Sequence, residues 1–285
     1  MRGHSLFCIS LLSVLLVAGE PPAKGYTDGQ AVRFDLYRDY LIVAKGSAGP
    51  LKGLHFLLDT GATPTVLDRP LAQKLHLVEM PASIAVLEGS VQAGQATVPS
   101  LQFGPLRRDN LNVLIEDLSF FRKALPVHID AVVGLDVLGQ SAFEIDYIAR
   151  EIRFGPLPSL ANSLPLELKA GLPIVGAEMN HLSVHLLVDT GASALILFEP
   201  PITRPASPMR ISADRSANTI GEFERKQVWL PSLRVGETEF GRKAAFLVRN
   251  RGTANQDFDG LMSPAALGIT KVGIDLGRGV FAFSR

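Results

Sequence analysis

An all-β fold built from two duplicated halves is predicted by three observations. Short apolar runs alternate with glycine-bearing breaks along the chain, the pattern of strands joined by hairpins. Four landmarks recur in order at offsets of about 130 positions, which marks an internal duplication. The first landmark is a pair of near-copies, Phe56-Leu57-Leu58-Asp59-Thr60-Gly61-Ala62 and Leu186-Leu187-Val188-Asp189-Thr190-Gly191-Ala192, each an apolar run ending in Asp-Thr-Gly-Ala. The two halves are expected to share one fold, organised to bring Asp59 and Asp189 face to face.

The elements follow in order. Arg2, the apolar run 6–17 and the small residues Val17-Ala18-Gly19 read as a signal peptide over residues 1–19. An uncleaved N-terminal anchor is the alternative, although the run is short of the roughly 20 apolar residues a membrane span needs. Residues 23–30 are polar and expected to be irregular. Strands are expected at 32–36 and 40–44 with a turn at Arg38-Asp39, then a glycine-rich turn region at 46–53 and a strand at 54–58 running into Asp59. Asp68 is placed to cap a short helix reaching Leu75, with Pro70 in its first turn. Hairpins are expected over 84–103, broken at Gly89 and Gly94, followed by a strand at 111–115. Residues 130–139 read as an apolar strand entering a helical turn, and 143–145 with 151–154 as a closing hairpin.

Residues 155–163, rich in Pro and Ser, read as a linker. Beyond it the landmarks return. Strands at 165–168 and 173–177 precede the strand 182–188, which runs into Asp189. Residues 231–236 answer 99–104, residues 259–268 answer 130–139, and residues 272–283 answer 143–154. One stretch differs: the counterpart of the 67–75 helix is 198–208, whose prolines exclude a regular helix, so a loop is expected.

Composition excludes several classes of function. A chain of 285 residues, 47% apolar, can bury one large or two ordinary cores. Lys plus Arg equals Asp plus Glu at 28 each, so nothing draws the chain as a whole to nucleic acid or an anionic membrane. The sole cysteine, Cys8, lies in the signal segment. Export without disulfides fits a periplasmic or secreted protein of a bacterium. No His-Glu-x-x-His, Cys cluster or phosphate-binding glycine loop is present, so neither a metal nor a cofactor is expected.

Two carboxyls sharing one proton suit the hydrolysis of a peptide bond. At about 3 Å apart they cannot both ionise cheaply, so one holds a proton and the other does not. The ionised member takes a proton from water, and the protonated member donates to the carbonyl oxygen. Gly61 and Gly191 permit a tight turn with amides close to the carboxylates. Thr60 and Thr190 are placed to brace one loop against the other by hydroxyl-to-backbone hydrogen bonds. Ala62 and Ala192 complete the two loops.

Paired apolar-Asp-Thr-Gly-Ala loops, with Val132-Val133-Gly134 about 70 residues after the first, resemble the pepsin and retropepsin aspartic proteases. Ala after Asp-Thr-Gly is similar to the retropepsin branch, and two copies in one chain are similar to bacterial retropepsin-like proteins with two aspartyl-protease domains in tandem. The resemblance implies a bilobal all-β acid-protease fold of two homologous β-barrel lobes, residues 30–157 and 165–285, with a cleft between them. It implies an exported aspartic endopeptidase, Asp59 and Asp189 as the catalytic pair, and an extended peptide or protein substrate. A β-hairpin flap, by position 84–96 with its tip near Gly89-Ser90, is also implied. Two aspartates in one chain make a monomer sufficient. No nucleic acid, and no membrane beyond the signal segment, is implied as a partner.

The second half departs from the pattern at Leu261-Met262-Ser263, where Ser replaces Gly. Either Ser263-Pro264 caps the turn that follows, or the second half has become mainly structural. On the second account the protein is a non-catalytic peptide-binding module of the same fold. His55 and His185 each precede an aspartate by four residues. That spacing is ~13 Å in a strand, so they read as strand-start positions and not as ligands. Asp146 and Asp275, each after Ile, read as turn or ladder partners, and Asp136 is a further carboxylate beside a repeated element. Trp229 reads as core or cleft wall.

Overall fold

The computed structural model describes residues 31–86, 89–199, 212–218, 221–249 and 258–285. The described residues are mostly β-strand, with two short α-helices among them. The first half runs β1 (Ala31–Tyr37), β2 (Leu41–Ala48), β3 (Leu51–Leu58), β4 (Val66–Asp68), α1 (Arg69–Lys74), β5 (Met80–Val86), β6 (Gly89–Phe103), β7 (Leu106–Glu116), a 3-10 turn (Leu118–Lys123), β8 (Ala131–Val133), α2 (Leu135–Leu138), β9 (Phe143–Asp146) and β10 (Glu151–Phe154). The second runs β11 (Asn162–Lys169), β12 (Leu172–Met179), β13 (Leu182–Val188), β14 (Leu195–Glu199), β15 (Ser212–Asn218), β16 (Gly221–Leu230), β17 (Leu233–Val235), β18 (Thr238–Glu239), β19 (Lys243–Arg249), β20 (Gly260–Met262), β21 (Lys271–Asp275) and β22 (Val280–Ser284).

Local chemistry sets the turns. Arg38 and Asp39, with φ of 51° and 66°, link β1 to β2; Asn180 and His181, at 49° and 67°, link β12 to β13. Positive φ at both central residues defines the primed turn, whose twist matches that of paired strands. The strands that carry the aspartates are buried on both faces: Phe56, Leu57 and Leu58 in β3, and Leu186, Leu187 and Val188 in β13. Such continuous apolar runs suit parallel pairing inside a sheet. β3 pairs parallel to β8, with Leu58 opposite Val133, and β13 pairs parallel to β20, with Val188 opposite Met262. β4 lies antiparallel to β8 and parallel to β7; β14 repeats this with β20 and β19.

A third sheet joins the halves in the order β1, β10, β9, β21, β22, β11, antiparallel throughout. Its seam is β9 against β21, with Ile145 opposite Val272. Its inward side chains, among them Phe143, Ile145, Ile152, Val272, Phe281 and Phe283, are buried. Each such side chain contributes about 1.5–3 kcal/mol of apolar burial. β1 and β11 each leave this sheet midway, β1 to pair with β2 and β11 with β12.

Several expectations need revision. Residues 46–53 are mostly strand, and the turn is confined to Gly49-Pro50. Gly46 sits at a bulge in β2 and is covered by the Phe56 ring: a Cβ there would lie 2.2 Å from the ring. Residues 89–103 form one long strand, β6, whose first part pairs with β5, and Gly94 lies within it. Val86 pairs with Gly89, so the connection falls at 87–88, outside the described residues, and Ser90 lies in the strand. Asp68 precedes α1 but makes no side-chain cap. It is 1% exposed and turns inward, where Oδ1 accepts from Leu118 N–H at 2.9 Å and Oδ2 lies 2.9 Å from His128 Nε2. Phe198 and Glu199 continue β14, and the rest of the proline-rich 198–208 stretch lies outside the described residues. The signal segment also lies outside them. No described helix is long and apolar enough to cross a membrane.

Candidate active site

Asp59 and Asp189 lie at the ends of β3 and β13, both fully buried. Each backbone N–H is fixed by the neighbouring parallel strand, Asp59 to Val133 O at 3.1 Å and Asp189 to Met262 O at 3.0 Å. The chain then turns, and Gly61 N–H donates to Asp59 Oδ1 at 2.8 Å. On the other side Gly191 N–H and Ala192 N–H donate to Asp189 Oδ1, at 2.8 and 3.0 Å. Ala62 and Ala192 are themselves buried. The two loops meet at close range. A Cβ on Gly61 would stand 2.7 Å from the Asp189 carboxyl carbon, and one on Gly191 would stand 2.6 Å from Asp59 Oδ2.

Thr60 and Thr190 hold the loops together. Thr60 N–H donates to Thr190 Oγ1 and Thr190 N–H donates to Thr60 Oγ1, each at 3.1 Å. The hydroxyls then donate across the pair, Thr60 to Val188 O at 2.7 Å and Thr190 to Leu58 O at 3.3 Å. All four bonds run between halves, so the position of one aspartate sets that of the other.

Burial is the largest influence on the Asp59 carboxyl and raises it well above the ordinary range. The charge of Asp189 and a hydrogen bond with it raise it further, against the pull of the Gly61 and Gly191 amides. Asp59 Oδ2 meets no N–H or O–H donor among the described residues. The group facing it is the Asp189 carboxyl, so a single proton between them converts a repulsive contact into a hydrogen bond.

The other candidates separate cleanly. His55 and His185 lie in mid-strand, in β3 and β13 and not at strand starts, and donate their backbone N–H groups to Asp130 and Asp259, each at 2.8 Å. Lys45 Nζ lies 2.6 Å from His55 Nε2. Burial first, then this ammonium, lowers the imidazole's pKa. No described group of three His, Cys, Asp or Glu side chains is arranged to hold a metal ion. Asp146 and Asp275 do close turns, accepting from Ala149 N–H at 2.8 Å and Arg278 N–H at 2.9 Å. Trp229 is 39% exposed under the Arg242 guanidinium and is not core.

Ser263 caps the turn that follows it. Its Oγ accepts from Ala266 N–H at 3.3 Å, and its carbonyl from Leu267 N–H. Gly134 has a different reason to be Gly, since a Cβ there would lie 2.4 Å from Ala62 O. Sequence reasoning overlooked Thr65, a fully buried residue bonded to Asp136. The available signal was a polar residue in an otherwise apolar strand start, six positions after Asp59.

Two strand-end aspartates thus meet through mirrored Asp-Thr-Gly loops in an all-β frame. Residues 47–137 match the family model described as aspartyl protease. The match covers Asp59, its loop and Gly134. It supports an aspartyl protease, retropepsin-like family and, with it, peptidase chemistry. No curated protein matches the chain.

Proposed function

We propose that this protein is an exported aspartic endopeptidase whose dyad is Asp59 and Asp189. The observation that carries the reading is the meeting of the two buried carboxyls, with each glycine of one loop against the carboxyl of the other. Burial and the charge of Asp189 favour the protonated form of Asp59, while two amides of its own loop donate to Asp189. Donors to a carboxylate favour its ionised form. Asp189 is therefore the base that takes a proton from water, and Asp59 is the acid that donates to the scissile carbonyl oxygen. The water oxygen bonds to the carbonyl carbon. Collapse of the tetrahedral species then breaks the C–N bond: the proton held by Asp189 passes to the departing amine, and a diol hydroxyl returns its proton to Asp59 as the carbonyl re-forms. Both titrations belong to the pair.

The duplicated strand order supports two β-barrel lobes, 30–157 and 165–285, with residues 155–161 linking β10 to β11. An extended polypeptide substrate lies in the cleft between them. Because each half supplies one aspartate, a monomer suffices. The apolar run 6–17 and the absence of cysteine beyond Cys8 support export to a periplasm or the exterior.

The second reading is a peptide-binding module without turnover, favoured by Ser263-Pro264 in place of Gly134-Leu135. One experiment separates the two. A peptide library is digested from acid to neutral pH with the wild type, Asp59→Asn and Asp189→Asn. Cleavage by the wild type with a bell-shaped pH profile, and at least a thousandfold loss in each variant, is expected. Full activity in either variant excludes a shared dyad. Peptide binding without cleavage at any pH establishes the module instead.

A further inference from the structure

The two aspartate loops are held by different means. In the first half the segment 133–136 grips the loop 59–65 along its length. Val133 O accepts from Asp59 N–H at 3.1 Å, and Leu135 N–H donates to Ala62 O at 3.0 Å. The Asp136 carboxylate then accepts twice from Thr65, from its N–H at 2.8 Å and its hydroxyl at 2.7 Å. The Thr65 oxygen in turn accepts from Gly134 N–H at 3.1 Å. Thr65 is fully buried, and Asp136 is half-buried.

The second half has lost the chemistry for four of these five contacts. Pro264 stands where Leu135 donates, and proline has no N–H. Ala265 stands where Asp136 accepts, and Leu195 stands where Thr65 does both. The remaining tether of the set is Asp189 N–H to Met262 O at 3.0 Å. Replacements at three positions, which together remove four bonds, make this a difference in kind between the loops.

We propose that Asp136 is a positioning residue for the dyad, which through Thr65 and Gly134 fixes the loop of Asp59 and lets the less tethered loop of Asp189 adjust to it. This rests on the dyad reading above. The brace runs through part-buried hydrogen bonds from Asp136 to Thr65 and a buried one from Gly134 N–H to Thr65, the kind of support that holds a reacting group within about 0.5 Å of its working position. Burial pushes the Asp136 carboxyl up in pKa, against the two Thr65 donors and the Arg108 guanidinium on β7. A carboxylate kept at that cost has a use in accepting both donors at once. Asp136 touches neither reacting carboxyl in this arrangement, so it acts on placement and not on proton transfer.

The test compares wild type, Asp136→Ala, Asp136→Asn and Thr65→Val in peptide hydrolysis, beside a carbon-13 NMR titration of the Asp59 and Asp189 carboxyls without substrate. Asp136→Ala is expected to lower kcat by about tenfold or more at unchanged KM, with Asp136→Asn, which keeps one acceptor, recovering most of it. Thr65→Val, close in shape, is expected to reproduce the loss and serves if Asp136→Ala does not fold. In the titration, Asp136→Ala is expected to move the midpoint of the Asp59 carboxyl. Wild-type kcat and an unmoved midpoint in folded Asp136→Ala or Thr65→Val overturn the proposal. If the wild type cleaves nothing, the dyad function fails, and the titration alone decides whether Asp136 places Asp59.

Discussion

Thr60 and Thr190 exchange backbone-to-hydroxyl hydrogen bonds at equal lengths of 3.1 Å, yet their hydroxyls do not donate equally. Thr60 reaches Val188 O at 2.7 Å, while Thr190 reaches Leu58 O only at 3.3 Å. A buried hydrogen bond contributes about 1 kcal/mol, and a buried group left unpaired costs about 1–3. Thr60→Ala is therefore expected to cost about 2–4 kcal/mol and Thr190→Ala about 1 kcal/mol less, with Ser restoring most of either. Urea unfolding measures both. A Thr190→Ala variant less stable than Thr60→Ala contradicts this ordering.

Gly61 and Gly191 make a sharper prediction about function. Neither has a positive φ, so the backbone itself tolerates alanine. The added methyl of Gly61→Ala would stand 2.7 Å from the Asp189 carboxyl carbon, and that of Gly191→Ala 2.6 Å from Asp59 Oδ2. Both variants are expected to fold and to lose hydrolysis at least a hundredfold, because carboxyls forced apart no longer share a proton. Circular dichroism beside the peptide assay checks this. Wild-type turnover in either variant would show that the carboxyls need not meet.

Much of this arrangement was legible in the sequence because it is written in local repeats. Asp-Thr-Gly-Ala occurs twice after an apolar strand, and the downstream elements recur at a common offset. What escaped notice depends on distant partners. Nothing local to Gly46 shows that Phe56 covers it, so its glycine reads as a turn signal. Asp68 reads as a cap by position, but a buried partner, Leu118 N–H, takes its carboxylate inward. Thr65 and Asp136 are 71 positions apart and meet only because β4 and β8 are paired.

Gly46 gives a test of packing apart from chemistry. A Cβ 2.2 Å from the Phe56 ring cannot be accommodated without moving a fully buried side chain. Overpacking of this kind costs about 1–3 kcal/mol. Gly46→Ala is expected to lose that much, and the double variant with Phe56→Leu is expected to lose less than the two single changes added together. Additive losses in a double-mutant cycle would mean that the ring is not what excludes the methyl.

Asp59 and Asp146 should act on opposite arms of the pH–stability curve. Burial, then the charge of Asp189, raises the Asp59 carboxyl well above its ordinary value. A group raised by folding stabilises the fold fully below its unfolded pKa, and the contribution is lost as pH rises through the folded one. Asp59→Asn is therefore expected to raise Tm at higher pH, where the wild-type pair is forced toward a second charge, and to change little in acid. Each kcal/mol gained corresponds to about 2–4 °C for a chain of this size. Asp146 is the reverse. Burial alone would raise its carboxyl, but the Ala149 amide, the Lys271 ammonium and the Ile148 amide outweigh it, and the net shift is downward. Its contribution is present above the ordinary aspartate value of 3.8 and is lost as pH falls through the depressed pKa. Lys271 Nζ lies 2.7 Å from Asp146 Oδ2 and comes from the other half, so Asp146→Asn weakens the seam of the joining sheet. That variant is expected to melt below the wild type at neutral pH and to converge with it in strong acid. Melting curves from pH 3 to 8 separate the two effects, because a gain from Asp59→Asn that did not grow with pH would mean that the carboxyls are not held against each other.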